Sequence, residues 1–109
     1  KTPLENYERD YLTVFQKINL FPKGHYNLGN YYLNKNEYEK AKGEFLTAIE
    51  QDQNFTEAHN NLGTVWGLMG NYQKAEMSFL KALEINPKNS EAKNNLEKLN
   101  AMVSDVKKP

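Results

Sequence analysis

The sequence predicts an all-α fold: a solenoid of about two full helical hairpins, with one further helix before them and a capping helix after them. Three observations lead there. His25, Leu28, Gly29, Tyr32, Tyr38, Ala41, Phe45 and Ala48 are answered at a constant offset of 34 residues by His59, Leu62, Gly63, Trp66, Tyr72, Ala75, Phe79 and Ala82. A fixed period of that length marks stacked supersecondary units rather than one closed globule. Within each copy the apolar residues recur at helical spacing, as in Leu62, Val65, Trp66 and Met69 and then Tyr72, Ala75, Phe79, Ala82 and Leu83. Each copy also breaks near its middle at a residue suited to left-handed backbone, Asn36 in one and Gly70 in the other.

The opening segment, 4–21, carries an apolar helical stripe of Leu12, Val14, Phe15 and Ile18, and its Asn6, Tyr7 and Pro22 match Asn71, Tyr72 and Pro87 at a shift of 65. It reads as an N-terminal helix or a degenerate half repeat. Asp10 and Lys17 stand where Ala75 and Ala82 stand later, and the linker to the next helix is three residues short, so its packing role stays open. The first repeat is expected over 22–55, with helices from about Lys23 to Lys35 and from about Glu37 to Gln51. The second is expected over 56–89, with helices from about Thr56 to Met69 and from about Tyr72 to Ile85. Asn71 can cap the last of these with its side-chain oxygen. Pro87 ends it, since proline lacks an amide hydrogen and restricts the residue before it.

A third start follows. Glu91, Ala92, Asn94, Asn95 and Leu96 repeat Glu57, Ala58, Asn60, Asn61 and Leu62 behind Ser90, a good helix cap. Glu97 stands where Gly29 and Gly63 stood, and a glutamate there argues against a further helix packing closely on this one. A lone, more polar helix over 90–104 closes the end of a solenoid, and 105–109 is expected to fray.

Composition narrows the function. At 109 residues the chain is one small domain that buries only about two thirds of its unfolded surface, so repeat stacking must stabilise it. Fourteen basic and fourteen acidic residues cancel, which removes the main drive for nonspecific nucleic-acid binding. Without cysteine there is neither disulfide nor thiolate chemistry. No apolar run approaches the roughly 20 residues of a membrane helix, so direct membrane insertion by this segment is not expected. Lys1 in place of methionine reads as a piece of a longer chain, and the compartment, cytoplasmic or periplasmic, stays open.

The repeated residues resemble the tetratricopeptide repeat, whose signature is an aromatic, then Leu-Gly, then Tyr in a first helix, followed by Ala, Phe and Pro in a second. His25 and His59 replace the usual tryptophan, Trp66 replaces the tyrosine, and Gln53 replaces the first proline. The resemblance covers 22–89 and implies a right-handed stack of hairpins that recruits a protein partner along its concave side. Ala41 and Ala75 then sit where paired helices cross, Gly29 and Gly63 let those helices approach, and Phe45 and Phe79 fill the space between.

On each first helix a second stripe lies opposite the Leu-Gly-aromatic one, at spacing i, i+3, i+4, i+7. It reads Lys23, Tyr26, Asn27, Asn30, then Glu57, Asn60, Asn61, Thr64, then Glu91, Asn94, Asn95, Lys98. In the family this stripe lines the partner-binding groove. Asparagine offers a donor and an acceptor, so stacked asparagines could grip a ligand's main chain whatever its sequence. Equally, asparagine is abundant here, as Asn34, Asn54, Asn86 and Asn100 show. Tyr26 and Leu33 are candidate apolar anchors beside the stripe. Family members that hold chaperone C-termini by a carboxylate clamp would find two of their asparagines in Asn30 and Asn61. Their cationic positions fall on Tyr26, Glu91 and Asn95, so chaperone tails are not expected ligands.

His25 and His59 read as half-buried packing rather than a metal site, because no carboxylate or cysteine stands beside either at a ligand spacing. Trp66 reads as core. The chain carries no glycine-rich phosphate loop and no nucleophile elbow. Glu37, Glu39, Glu44 and Glu50 alternate with Lys40 and Lys42 as a solvated face with weak ion pairs. The sequence therefore predicts a non-catalytic interaction module that uses no cofactor and no metal and binds a protein or peptide. Self-assembly into a homo-oligomer, or service as a regulatory or targeting domain of a larger enzyme, stands as the alternative.

Overall fold

Five α-helices and no strand make up residues 21–107, which the computed structural model describes: α1 (Pro22–Asn34), α2 (Tyr38–Gln51), α3 (Thr56–Leu68), α4 (Tyr72–Ile85) and α5 (Ser90–Lys107). α1 packs on α2, α3 on α4, and α3 and α5 each pack on the second helix of the preceding hairpin. The helix expected over 4–21 lies, but for Phe21, outside the described residues.

The two hairpins turn by the same device. Asn36 (φ 61°) and Gly70 (φ 85°) take the left-handed conformation that lets the chain reverse after a helix. The following amides then reach back five residues, Glu37 N–H to the Tyr32 carbonyl and Asn71 N–H to the Trp66 carbonyl, both at 2.9 Å. Helix starts differ. Proline at the first position of α1 supplies a preset φ where no amide donor is needed. The Asn71 side chain accepts the Lys74 amide at 3.1 Å and so caps α4.

Two expectations are corrected. α5 is capped by Asn89, whose side-chain oxygen accepts the Ala92 amide at 2.8 Å, while Ser90 is already the first helical residue. α5 also runs through Lys107, three residues past the expected bound of 104. It contains neither glycine nor proline, and Leu99 and Val103 anchor its second half on α4. Pro87 follows the end of α4 as expected and has no counterpart after α2, where Gln53 stands. Asp52 and Asn86 take the same extended backbone after α2 and α4, and each accepts the amide two residues on, although Gln53 follows one and Pro87 the other. The side-chain turn is sufficient by itself.

Packing follows the repeated small and large residues. Ala41, Ala48, Ala75 and Ala82 are fully buried at the helix crossings. A Cβ on Gly29 would lie 2.5 Å from Phe45 Cε1, and one on Gly63 would lie 2.5 Å from Phe79 Cε1. Each glycine is therefore the floor on which its hairpin's phenylalanine rests. Phe45 joins Ala41, Leu62 and Val65 in one cluster, and Phe79 joins Ala75 and Leu99 in the next. Trp66, half-buried, packs against both clusters and ties the hairpins into one continuous core. Glu97 is exposed, and no described helix covers it.

Candidate functional site

The first helices α1, α3 and α5 lie side by side, and the asparagines of the polar stripe join them. Asn61 Nδ2 donates to Asn30 Oδ1 at 2.7 Å and to the Tyr26 hydroxyl at 3.2 Å, which links α3 to α1. Asn60 Nδ2 donates to Asn61 Oδ1 at 3.3 Å. Asn95 Nδ2, on α5, donates to Asn60 Oδ1 at 3.0 Å. The result is a ladder of carboxamides across three helices, with each middle member both donor and acceptor.

That ladder changes what the stripe is. Asn60 is 1% exposed, so its side chain serves the interior. Tyr26 is half-buried, its ring 5.0 Å from that of Phe55 and 5.9 Å from that of Phe45, and Leu33 packs against the Ala41–Phe45 cluster. Both are thus partly buried in the packing beneath the stripe. Asn30, Asn61 and Asn95 are half-buried within the ladder, and Thr64, also half-buried, donates its hydroxyl to the Asn60 carbonyl at 3.4 Å. Lys23, Asn27, Glu57, Glu91, Asn94 and Lys98 are exposed. Between α3 and α5 the surface opens into a cleft of about 420 Å³, and Thr64, Asn95 and Lys98 help to line it.

Several contacts are not visible in spacing. His25 Nδ1 lies 2.9 Å from Glu44 Oε2, so a carboxylate does stand beside that histidine, brought from 19 residues away by the hairpin crossing. His59 is buried and donates Nε2–H to the Gln53 carbonyl at 3.0 Å. Lys42 and Lys74 place their ammonium groups 5.1 and 4.5 Å from the Trp66 ring centre, one from each second helix. This is cation–π geometry and covers the indole. Lys42 also pairs with Glu39 at 2.8 Å, and Lys40 with Glu37 at 3.7 Å. Among the described residues, no three His, Asp or Glu side chains converge as a metal site, and no helix is long and apolar enough to cross a membrane.

The repeat unit itself decides the family. The family model described as the tetratricopeptide repeat matches residues 22–55, and a second model of the same description matches residues 56–89. The chain belongs to the tetratricopeptide repeat family. Solved tetratricopeptide repeat structures share its shape. The first such domain of Spaghetti (RPAP3), bound to the HSP90 peptide SRMEEVD, is 22% identical, with a TM-score of 0.73 over 76% of this chain and 66% of that one. The crystal structure of MamA protein is 23% identical, with a TM-score of 0.72 over 75% of this chain and 45% of that one. The second such domain of human RPAP3, in complex with the HSP70 peptide SGPTIEEVD, is 26% identical, with a TM-score of 0.71 over 73% of this chain and 67% of that one. The chain thus spans under two thirds of the first two. No curated protein matches it.

Proposed function

We propose that this tetratricopeptide repeat domain is a non-catalytic protein-interaction module that receives a partner peptide or helix along the face formed by α1, α3 and α5. The observation that carries the reading is that three helices are fused by the asparagine ladder into one preorganised surface. Its outward side chains, Asn27, Glu57, Asn94 and Lys98, have no hydrogen-bond or ion-pair partner among the described residues. Preorganised surfaces bind with less ordering cost than flexible ones. The peptides held by the RPAP3 domains support the same use of the fold.

An acidic free C-terminus of the kind those domains hold is not the ligand expected here. Two of the three positions that need cations carry Tyr26 and Asn95, which are engaged with Asn61 and Asn60, and the third carries the exposed carboxylate of Glu91. A bound carboxylate would meet no compensating charge there.

The test is capture of partners from the native cell by the wild-type domain and by the double variant Asn27→Arg, Asn94→Arg. Both positions are exposed, so the fold is retained and the melting temperature stays within a few degrees. Loss of the captured protein supports binding through this face, and undiminished capture with an intact fold removes the face from the function.

A further inference from the structure

Within that proposed binding face, the two hairpins differ at one place that matters for recognition. In the first, Leu33 near the end of α1 packs onto the Ala41–Phe45 cluster and fills the angle between the helices. Its equivalent 34 residues later is Gly67, and there the angle is open. The cleft of about 420 Å³ between α3 and α5 lies over this glycine, with Phe79 and Leu99 at its base. Its rim consists of Leu68, Tyr72 and Met102, which are 55%, 37% and 43% exposed. Large apolar side chains converging on one opening mark an interaction site more strongly than isolated ones.

The mouth of the cleft is not apolar throughout. Lys98 lines it and, like most lysines of the described residues, enters no ion pair, so its ammonium stands available at the mouth. We infer that this cleft is a socket for one large apolar side chain of a partner's internal segment, with a neighbouring Asp or Glu of that segment pairing with Lys98. The inference rests on the proposed binding face and narrows its ligand. Gly67 is the specificity-determining residue, since its missing side chain makes the socket, and Lys98 selects the charge beside the anchor.

Leucine at 67 is an available plug. A Cβ there meets only Ala75 Cβ, at an ordinary 3.9 Å, and the first hairpin already carries leucine at the same station. The probe is a phage-displayed random 12-residue library selected on the wild-type domain, with enriched sequences remade as synthetic peptides. Enriched peptides should share a Leu, Met, Ile or Phe with an Asp or Glu within a few positions. Their affinity should fall at least about ten-fold on Gly67→Leu, with the melting temperature unchanged or raised, and on Lys98→Glu. Replacing the peptide's acid by lysine should restore binding to Lys98→Glu. Enriched peptides without that pair, or peptides indifferent to Gly67→Leu, overturn the socket and leave the wider face standing. Absence of any enriched sequence overturns both. Concentration-dependent self-association that Gly67→Leu abolishes assigns the socket to a second copy of the chain and likewise overturns the inference.

Discussion

Replacing Asn60 by alanine tests the ladder where it is most deeply placed. The side chain is 1% exposed, donates to Asn61 Oδ1 at 3.3 Å and accepts from Asn95 Nδ2 at 3.0 Å. Two hydrogen bonds at a net of about 1 kcal/mol each, together with about 1 kcal/mol for the void left between α3 and α5, give a loss of about 2–4 kcal/mol. Urea unfolding followed by the fluorescence of Trp66, the sole tryptophan, measures it directly. In a domain of this size the melting temperature should drop by about 10 °C or more. Asn60→Asp separates the two contributions, because it fills the void yet turns an oxygen toward Asn61 Oδ1 and buries a charge, so it too should destabilise. Asn94→Ala, on the next first helix but exposed, should fall within about 0.5 kcal/mol of wild type. If Asn60→Ala and Asn94→Ala prove equivalent, the ladder contributes nothing to the fold and the stripe's asparagines are free for ligand after all.

Gly63→Ala should destabilise by about 1–3 kcal/mol, because its Cβ would lie 2.5 Å from Phe79, whereas Gly43→Ala, with nothing within 4 Å, should stabilise by about 0.5–1 kcal/mol; thermal melts distinguish the signs. Asn89→Ala should cost about 1 kcal/mol through loss of the α5 cap, and Ser90→Ala should stay within about 0.5 kcal/mol, as read by chemical denaturation. Gly70→Ala, at φ 85°, should cost about 1 kcal/mol by the same measurement.

The hairpins were legible because each depends on requirements that a single residue satisfies: a left-handed turn at Asn36 or Gly70, a small residue under a phenylalanine, an alanine at a crossing. Helix ends fell within a residue of expectation through α4 for the same reason. The ladder was legible only in part. Helical spacing places Asn60 and Asn61 on adjacent sides of one helix, but the stagger between helices decides which is buried, and stagger is set by packing. The His25–Glu44 contact depends on the crossing of α1 and α2 in the same way. Asn89 and Ser90 are both competent caps side by side, so only the geometry of the approaching loop selects between them. The missing side chain at Gly67 was present in the repeat alignment itself, opposite Leu33, but a gap becomes a socket only when Leu68, Tyr72 and Met102 are seen around it.

Amide shift mapping of the isotopically labelled domain, titrated with a captured partner or a selected peptide, is the most direct measurement. Changes are expected to concentrate on the face of α1, α3 and α5, at Asn27, Thr64, Gly67, Leu68, Lys98 and Met102, while Leu46 and Leu80 on the second helices stay unmoved. Changes centred on Leu46, Met77 and Leu80 instead, with the first helices silent, would place recognition on the opposite side of the stack and contradict the proposed function.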